Sequence, residues 1–198
     1  AFERLSTKFH DRPQPTLVTT GTGSGKTEAF LYPVLDHVHR AKAAGVTGMK
    51  ALILYPMNAL ANDQAERLAR LISEHPQLSG VSAGLYTGEQ STGGRTKVNE
   101  EGLITDRSLM HVAPPDILLT NYKMLDHLLL HPDRGDIWRL SADSLQYVVL
   151  DEFHTYDGAQ GTDVAMLLRR LGLTVKAHWT DTSPVTDEDR ARPLGRIT

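Results

Sequence analysis

The sequence predicts an α/β domain with a mainly parallel twisted sheet covered by helices on both faces, and three observations predict it. Short β-rich apolar runs alternate along the chain with longer stretches whose apolar residues recur every three or four positions. The short runs are apolar without polar alternation, the pattern of strands buried on both faces. A glycine-rich segment joins the first such run to the first helical stretch, so strand, loop and helix follow one another there. Strands that alternate with helices become parallel neighbours, because each crossover returns the chain to the same edge of the sheet.

Taken in order, the β-rich runs are 16–20, 51–55, 81–86, 116–120 and 147–150. The first helical face carries Phe30, Leu31, Val34, Leu35 and Val38, and the second Leu60, Gln64, Leu68, Leu71 and Ile72. Val164, Leu167, Leu168 and Leu171 mark a third. Pro33 falls inside the first helical pattern and is expected to kink or split that helix. Residues 88–99 read as a polar loop, and Pro114-Pro115 stops the preceding element and introduces the strand at Asp116. The apolar pattern fades from Gly172, so residues 1–171 read as the domain and 172–198 as an irregular edge or linker.

Composition narrows the function. A chain of 198 residues holds one full-sized domain or two small ones. A net charge of −3 argues against a basic coat that binds nucleic acid passively, and leaves room for local basic patches. Without cysteine there is no disulfide framework, iron–sulfur cluster, thiolate zinc site or cysteine nucleophile. That fits a reducing, cytoplasmic setting. No apolar run approaches the roughly 20 residues of a membrane-spanning helix, so no membrane partner is expected.

Two segments carry chemistry. The run at 16–20 leads into Gly21-Thr22-Gly23-Ser24-Gly25-Lys26-Thr27-Glu28, followed by a helical pattern. Small residues let backbone N–H groups turn inward around a phosphate, and the helix N-terminus adds partial positive charge. Lys26 would then bridge the β and γ phosphates of a nucleotide, and the Thr27 hydroxyl would coordinate Mg²⁺. Thr20 stands where the strict pattern has its first glycine. The run at 147–150 leads into Asp151-Glu152-Phe153-His154, which puts two carboxylates at the edge of the sheet where ligands bind. Asp151 is suited to hold Mg²⁺, and Glu152 to orient and deprotonate an attacking water.

Together these residues resemble the first RecA-like domain of superfamily 2 helicases of the DEAD/DEAH type. Gly21 to Glu28 looks like motif I and Asp151 to His154 like a DExH motif II. Tyr55-Pro56-Met57-Asn58 and the residues to Gln64 resemble motif Ia; Tyr86-Thr87-Gly88 and Thr120-Asn121 resemble two further motifs. The run from Asp151 to Leu171 is similar to large bacterial helicases of the Lhr-like and YprA-like group, some of which serve in DNA repair or phage defence. The resemblance implies a three-layer P-loop NTPase fold, ATP and Mg²⁺ as cofactors, and coupling of hydrolysis to strand movement through His154. It implies a track for single-stranded or duplex nucleic acid, DNA favoured over RNA, along Pro56, Met57, Asn58, Thr87, Gly88, Thr120 and Asn121. Many relatives carry Arg or Lys where Asn58 stands, so ionic attraction at that position is weakened. A second RecA-like domain of the same parent chain is expected to supply arginine fingers. Motif III is expected to begin near Thr198, so this chain by itself should hydrolyse ATP poorly.

Other signals read more plainly. His127 and His131, and likewise His37 and His39, lack a third ligand or a shared face and read as packing or surface residues. Trp138 and Trp179 read as core or edge residues, and Arg169-Arg170 serves either nucleic acid or solvent. Two rival functions are a P-loop kinase acting on a small molecule and a degenerate module that binds nucleic acid without catalysis.

Overall fold

The computed structural model describes residues 1–10, 12–19, 25–88, 94–131 and 136–198. Among these residues four strands form one sheet: β1 Ala51–Tyr55, β2 Ala83–Tyr86, β3 Ile117–Asn121 and β4 Tyr147–Leu150, in the order β2-β3-β1-β4. Every pairing is parallel, with Tyr55 opposite Asn121, Leu54 opposite Leu150 and Tyr86 opposite Thr120. All four strands therefore end at the same edge.

Alternation along the strands sorts their side chains into two cores. Ala51, Ile53, Tyr55, Ile117 and Leu119 pack with α2 (Lys26–Ala43) and α3 (Asn58–Glu74). Leu52, Leu54 and Leu118 face the other way, onto α5 (Tyr122–Leu130), α6 (Ile137–Ser141) and α7 (Gly158–Ala177). The result is three layers, helix on sheet on helix, as the alternation of strands and helices predicts. Two short helices, α1 (Phe2–Leu5) and α4 (Arg107–Val112), complete the part of the chain before β4 and α7.

Some expectations are corrected. Residues 16–19 form no strand, and Leu17 is 73% exposed. The outer edge of β4 is taken instead by the last residue: Val148 N–H donates to the Thr198 carbonyl at 2.8 Å and Thr198 N–H to that of Gln146 at 2.9 Å. Thr198 Oγ1 donates in turn to the Pro13 carbonyl at 3.0 Å, which ties the N-terminal segment to this edge through Thr198. β4 is accordingly half-buried from Val148 to Leu150, whereas β1 and β3 are buried throughout. Pro33 does not split its helix: α2 runs unbroken from Lys26 to Ala43 and buries the proline ring. The lost N–H forgoes one bond to Ala29, which burial of the apolar stripe outweighs.

The fading pattern after Gly172 has a packing cause. Gly172 lies inside α7, and a Cβ there would collide with the Pro193 carbonyl oxygen, so the apolar period breaks where another backbone passes close. The following segment carries α8 (Asp187–Ala191), capped by reciprocal bonds between Thr186 and Asp189. Arg12 pairs with the buried Asp189 at 2.8 Å and ties the N-terminal segment to it.

At the opposite edge, where the strands begin, lies a buried ionic cluster. The Asp116 carboxylate accepts from Lys50 Nζ at 2.7 Å, Lys42 Nζ at 2.7 Å, and Ser82 N–H and Oγ at 2.8 Å each. These residues stand just before β1, β2 and β3 or at the end of α2, so one carboxylate joins four segments.

Candidate functional site

The site grows from the edge where the strands end. Gly25 has φ +80, a left-handed conformation that suits glycine, and it turns the chain into α2. Lys26 and Thr27 are the first two residues of that 18-residue helix. Their N–H groups are among those a helix leaves unsatisfied, and its dipole favours an anion there. Glu28, in the same turn, is bound by Arg67 of α3, so its charge is offset locally. Gly21, Thr22, Gly23 and Ser24 lie outside the described residues.

Across the sheet edge, Asp151 N–H donates to the Leu54 carbonyl at 3.0 Å, which extends the β4–β1 ladder by one bond. Burial pushes its carboxyl above the usual range, and the neighbouring Glu152 adds to this; the Glu152 N–H, which donates to Asp151 Oδ1 at 2.8 Å, and the Lys26 charge oppose it. Glu152 has φ 50 and ψ 42, a left-handed conformation that costs a non-glycine residue about 1–2 kcal/mol. Backbone strain of this kind is tolerated where it aims a side chain. The chain then enters a 3-10 turn, Phe153–Thr155, in which Thr155 donates to the Glu152 carbonyl from both N–H, at 2.9 Å, and Oγ1, at 2.8 Å. His154 is exposed, with Nδ1 3.3 Å from Glu152 Oε2.

The hydroxyl of Thr27 and the carboxylates of Asp151 and Glu152 are hard oxygen donors of the kind Mg²⁺ prefers. The Lys26 charge acts on Asp151 against the effect of burial, so the two belong to the same end of the sheet. The donor set thus fits a magnesium–nucleotide.

The proposed track residues gather on the other side of β1. Asn121 ends β3, caps α5 by accepting from Met124 N–H at 2.8 Å, and donates through Nδ2 to Asn58 Oδ1 at 2.6 Å. Asn58 opens α3, and the preceding Met57 is 59% exposed. Pro56 is half-buried and Gly88 exposed. Thr120 differs from the sequence expectation of an exposed contact. It is fully buried and its hydroxyl donates to the Tyr86 carbonyl at 2.6 Å, so it fixes β2 to β3 beneath the surface. Thr87 and Asn121 are also buried, at 7% and 8% exposure, so they shape the edge more than they present a free side chain to a strand. The end of β1 thus divides the edge, with Leu54 bonded to Asp151 on one side and Tyr55 paired with Asn121 on the other.

Three residues of this edge escape the sequence reading. Arg67 lies well inside α3 yet reaches Glu28. Tyr156 follows His154 by two positions and is 6% exposed; its ring meets Tyr122 and Phe153 edge-on at 6.2 and 6.4 Å, and its hydroxyl is without a partner among the described residues. Burial and the nearby Asp151 push that phenol up to about 12. Arg107 opens α4, 20 residues beyond Thr87, and bonds the Thr87 carbonyl. Tyr156 sits inside the recognised run after motif II, whereas nothing in the sequence brings Arg107 to Thr87. Of the tryptophans, Trp138 is buried and Trp179 half-buried, and each donates to a backbone carbonyl, of Leu128 at 3.4 Å and Ala142 at 3.0 Å. The rings of His127 and His131 meet at 4.3 Å between centroids, tilted by 40°.

Comparison with known proteins gives the family of this chain. The model of the family described as DEAD/DEAH box helicase matches residues 6–183. The Druantia protein DruE of Escherichia coli (strain UMEA 4076-1) is 30% identical over 250 aligned positions, covering 78% of this chain and 14% of DruE. The uncharacterized ATP-dependent helicase YprA of Bacillus subtilis (strain 168) is 30% identical over 174 residues, covering 88% of this chain and 20% of YprA. The chain thus spans a fifth or less of the length of either relative. Among solved structures, the Mycobacterium smegmatis helicase Lhr bound to ssDNA and AMP-PNP is similar with a TM-score of 0.56 and 26% identity, over 80% of this chain and 19% of Lhr.

Proposed function

Because the chain belongs to the DEAD/DEAH box helicase family, we propose that it is the nucleotide-binding RecA-like domain of an ATP-dependent helicase or translocase acting on a nucleic-acid strand. One observation carries the reading: the end of β1 separates the Asp151–Glu152 pair from a row of polar residues around Asn58 and Asn121. A nucleotide event on one side and a strand on the other share a single rigid strand end.

In this reading Lys26 and the N-terminal turn of α2 bind the phosphates of ATP. Thr27 and Asp151 hold Mg²⁺, which supplies charge neutralisation of the phosphate oxygens when bound. Glu152 orients the attacking water and takes its proton. His154, in contact with Glu152, relays the state of the site toward the strand. Asn58, Asn121, Gly88 and the surface around Met57 contact sugar and phosphate without reading bases. A second RecA-like domain of the same parent chain closes over ATP and supplies the arginine fingers. The preference for DNA over RNA rests on likeness to Lhr, whose structure was solved with ssDNA. A reducing, cytoplasmic setting suits a chain without cysteine, and no helix among the described residues is long and apolar enough to cross a membrane.

The test is titration of a fluorescent ATP analogue with Mg²⁺ into the chain, beside Lys26→Ala. The reading expects saturable binding by the native chain and at least a tenfold loss in the variant. Equal binding by both would overturn the assignment of the phosphate site. Parallel titrations with single-stranded DNA and RNA of one sequence decide between the two polymers.

A further inference from the structure

The proposed track has too little positive charge in its assigned residues. Phosphate binding needs cations or well-aimed dipoles. Asn58 is neutral and its side-chain oxygen is occupied by Asn121, while the Thr120 hydroxyl is buried and committed to Tyr86. Two arginines on helices that flank this edge are already matched by carboxylates, Arg67 by Glu28 and Arg170 by Asp126.

Arg107 is placed differently. Its guanidinium lies 4.9 Å from the centroid of the Tyr86 ring, and one Nη donates to the Thr87 carbonyl. Among the described residues no carboxylate pairs with it, and it is half-exposed. A guanidinium carries five donors in a planar fork. The Thr87 carbonyl takes one and the ring face takes none, so among the described residues no acceptor takes the remaining N–H groups. The cation–π contact with Tyr86 and the bond to Thr87 hold the guanidinium in place and lower the ordering cost of binding. The anchor is Thr87, whose neighbour Gly88 is exposed on the track. A planar, preoriented cation beside an exposed glycine is a phosphate-binding arrangement, because glycine lets a sugar-phosphate backbone come close.

We propose that Arg107 is a phosphate-contacting residue of the nucleic-acid track, held in place by the Tyr86 ring and the Thr87 carbonyl. The proposal rests on the reading of this edge as a nucleic-acid track. It assigns to α4, an element outside the recognised motifs, the ionic contact that Asn58 does not make.

Salt dependence separates a phosphate contact from a mere buttress of the Thr87–Gly88 turn. The dissociation constant of fluorescein-labelled dT20 is measured for the chain by anisotropy between 50 and 300 mM KCl, with Arg107→Gln, Arg107→Lys and Lys8→Gln alongside. Thermal melting confirms that each variant is folded. One lost phosphate contact lowers the slope of log K against log salt by about 0.7, which is about fivefold in affinity at 0.1 M salt. Arg107→Gln is expected to show both changes, Arg107→Lys to regain most of the slope, and Lys8→Gln, on the N-terminal segment that packs near the far end of α2, to show neither. A folded Arg107→Gln with weaker binding and an unchanged slope would mark Arg107 as a buttress and overturn the proposal. So would an equal loss of slope in Lys8→Gln. No salt-dependent binding by the native chain would overturn the track itself, and the proposal with it.

Discussion

Removing the Asp116 carboxylate tests the packing argument most directly. Lys50 is 1% exposed, and Asp116 is its buried counter-ion at 2.7 Å. In Asp116→Ala the Lys50 ammonium stays inside the fold without that charge, and Ser82 loses the acceptor of its N–H and its hydroxyl. Breaking a buried pair on one side costs about 3–5 kcal/mol. The second cation, Lys42, is 41% exposed in its side chain and adds little. For a chain of this size each kcal/mol moves Tm by about 2–4 °C, so the expected loss is roughly 6–20 °C. The double variant Asp116→Leu with Lys50→Met removes both charges and should recover most of it, because the pair itself contributes little net stability. Burial by itself raises the Asp116 carboxyl, but bonds from Lys42, Lys50 and Ser82 outweigh it and leave the group below its ordinary value of 3.8. A depressed carboxyl stabilises the fold above its unfolded pKa, and that contribution fades as pH falls from about 4 through the lower folded value. Thermal melts at pH 7 and across pH 2–5 read both effects. A loss below about 1 kcal/mol in Asp116→Ala, or no recovery in the double variant, would refute the account.

Two predictions concern the acidic strand end. Burial raises the Asp151 carboxyl, so at pH 7 its ionised form weakens the folded state; stability from a raised group is present below the unfolded pKa and lost as pH rises through the folded one. Asp151→Asn should therefore raise Tm at pH 7 while weakening Mg-dependent nucleotide binding, and a lowered Tm counts against the argument. Glu152→Gly relieves left-handed strain at φ 50, and after the entropy glycine adds to the unfolded chain the net gain is about 0.5–1 kcal/mol. Denaturant melts should show that gain together with loss of ATP hydrolysis, whereas a destabilised variant would mean that Glu152 is not strained.

Much of the fold was legible because it depends on local period. The runs at 51–55 and 147–150 are strands within those bounds, since continuous apolar residues flanked by helical patterns leave few other solutions. The runs at 81–86 and 116–120 shift by one or two residues at their ends, to Ala83–Tyr86 and Ile117–Asn121, because caps and buried polar groups, Ser82 and Asp116 among them, set the boundary. The run at 16–20 looks equally β-rich, but a strand needs a neighbour with free ladder groups. Thr198 occupies that edge of β4, a contact 50 residues away in sequence that no local pattern encodes.

By itself the sequence determined the alternation of strands and helices from β1 to α7, the glycine-to-lysine turn that opens α2 and the pair of carboxylates that closes β4, because each depends on neighbours a few positions apart. Only the tertiary structure decided which strand lies between the two parts of the candidate site, that Thr120 is buried against Tyr86, that Asn58 and Asn121 bond to each other, and that Arg107 comes to rest on Tyr86. The physical reason is that a parallel sheet gathers the strand ends along one edge, whatever their spacing along the chain. Chemistry at that edge is set by the strand order and by the few ångströms between side chains, and neither is written in the local period.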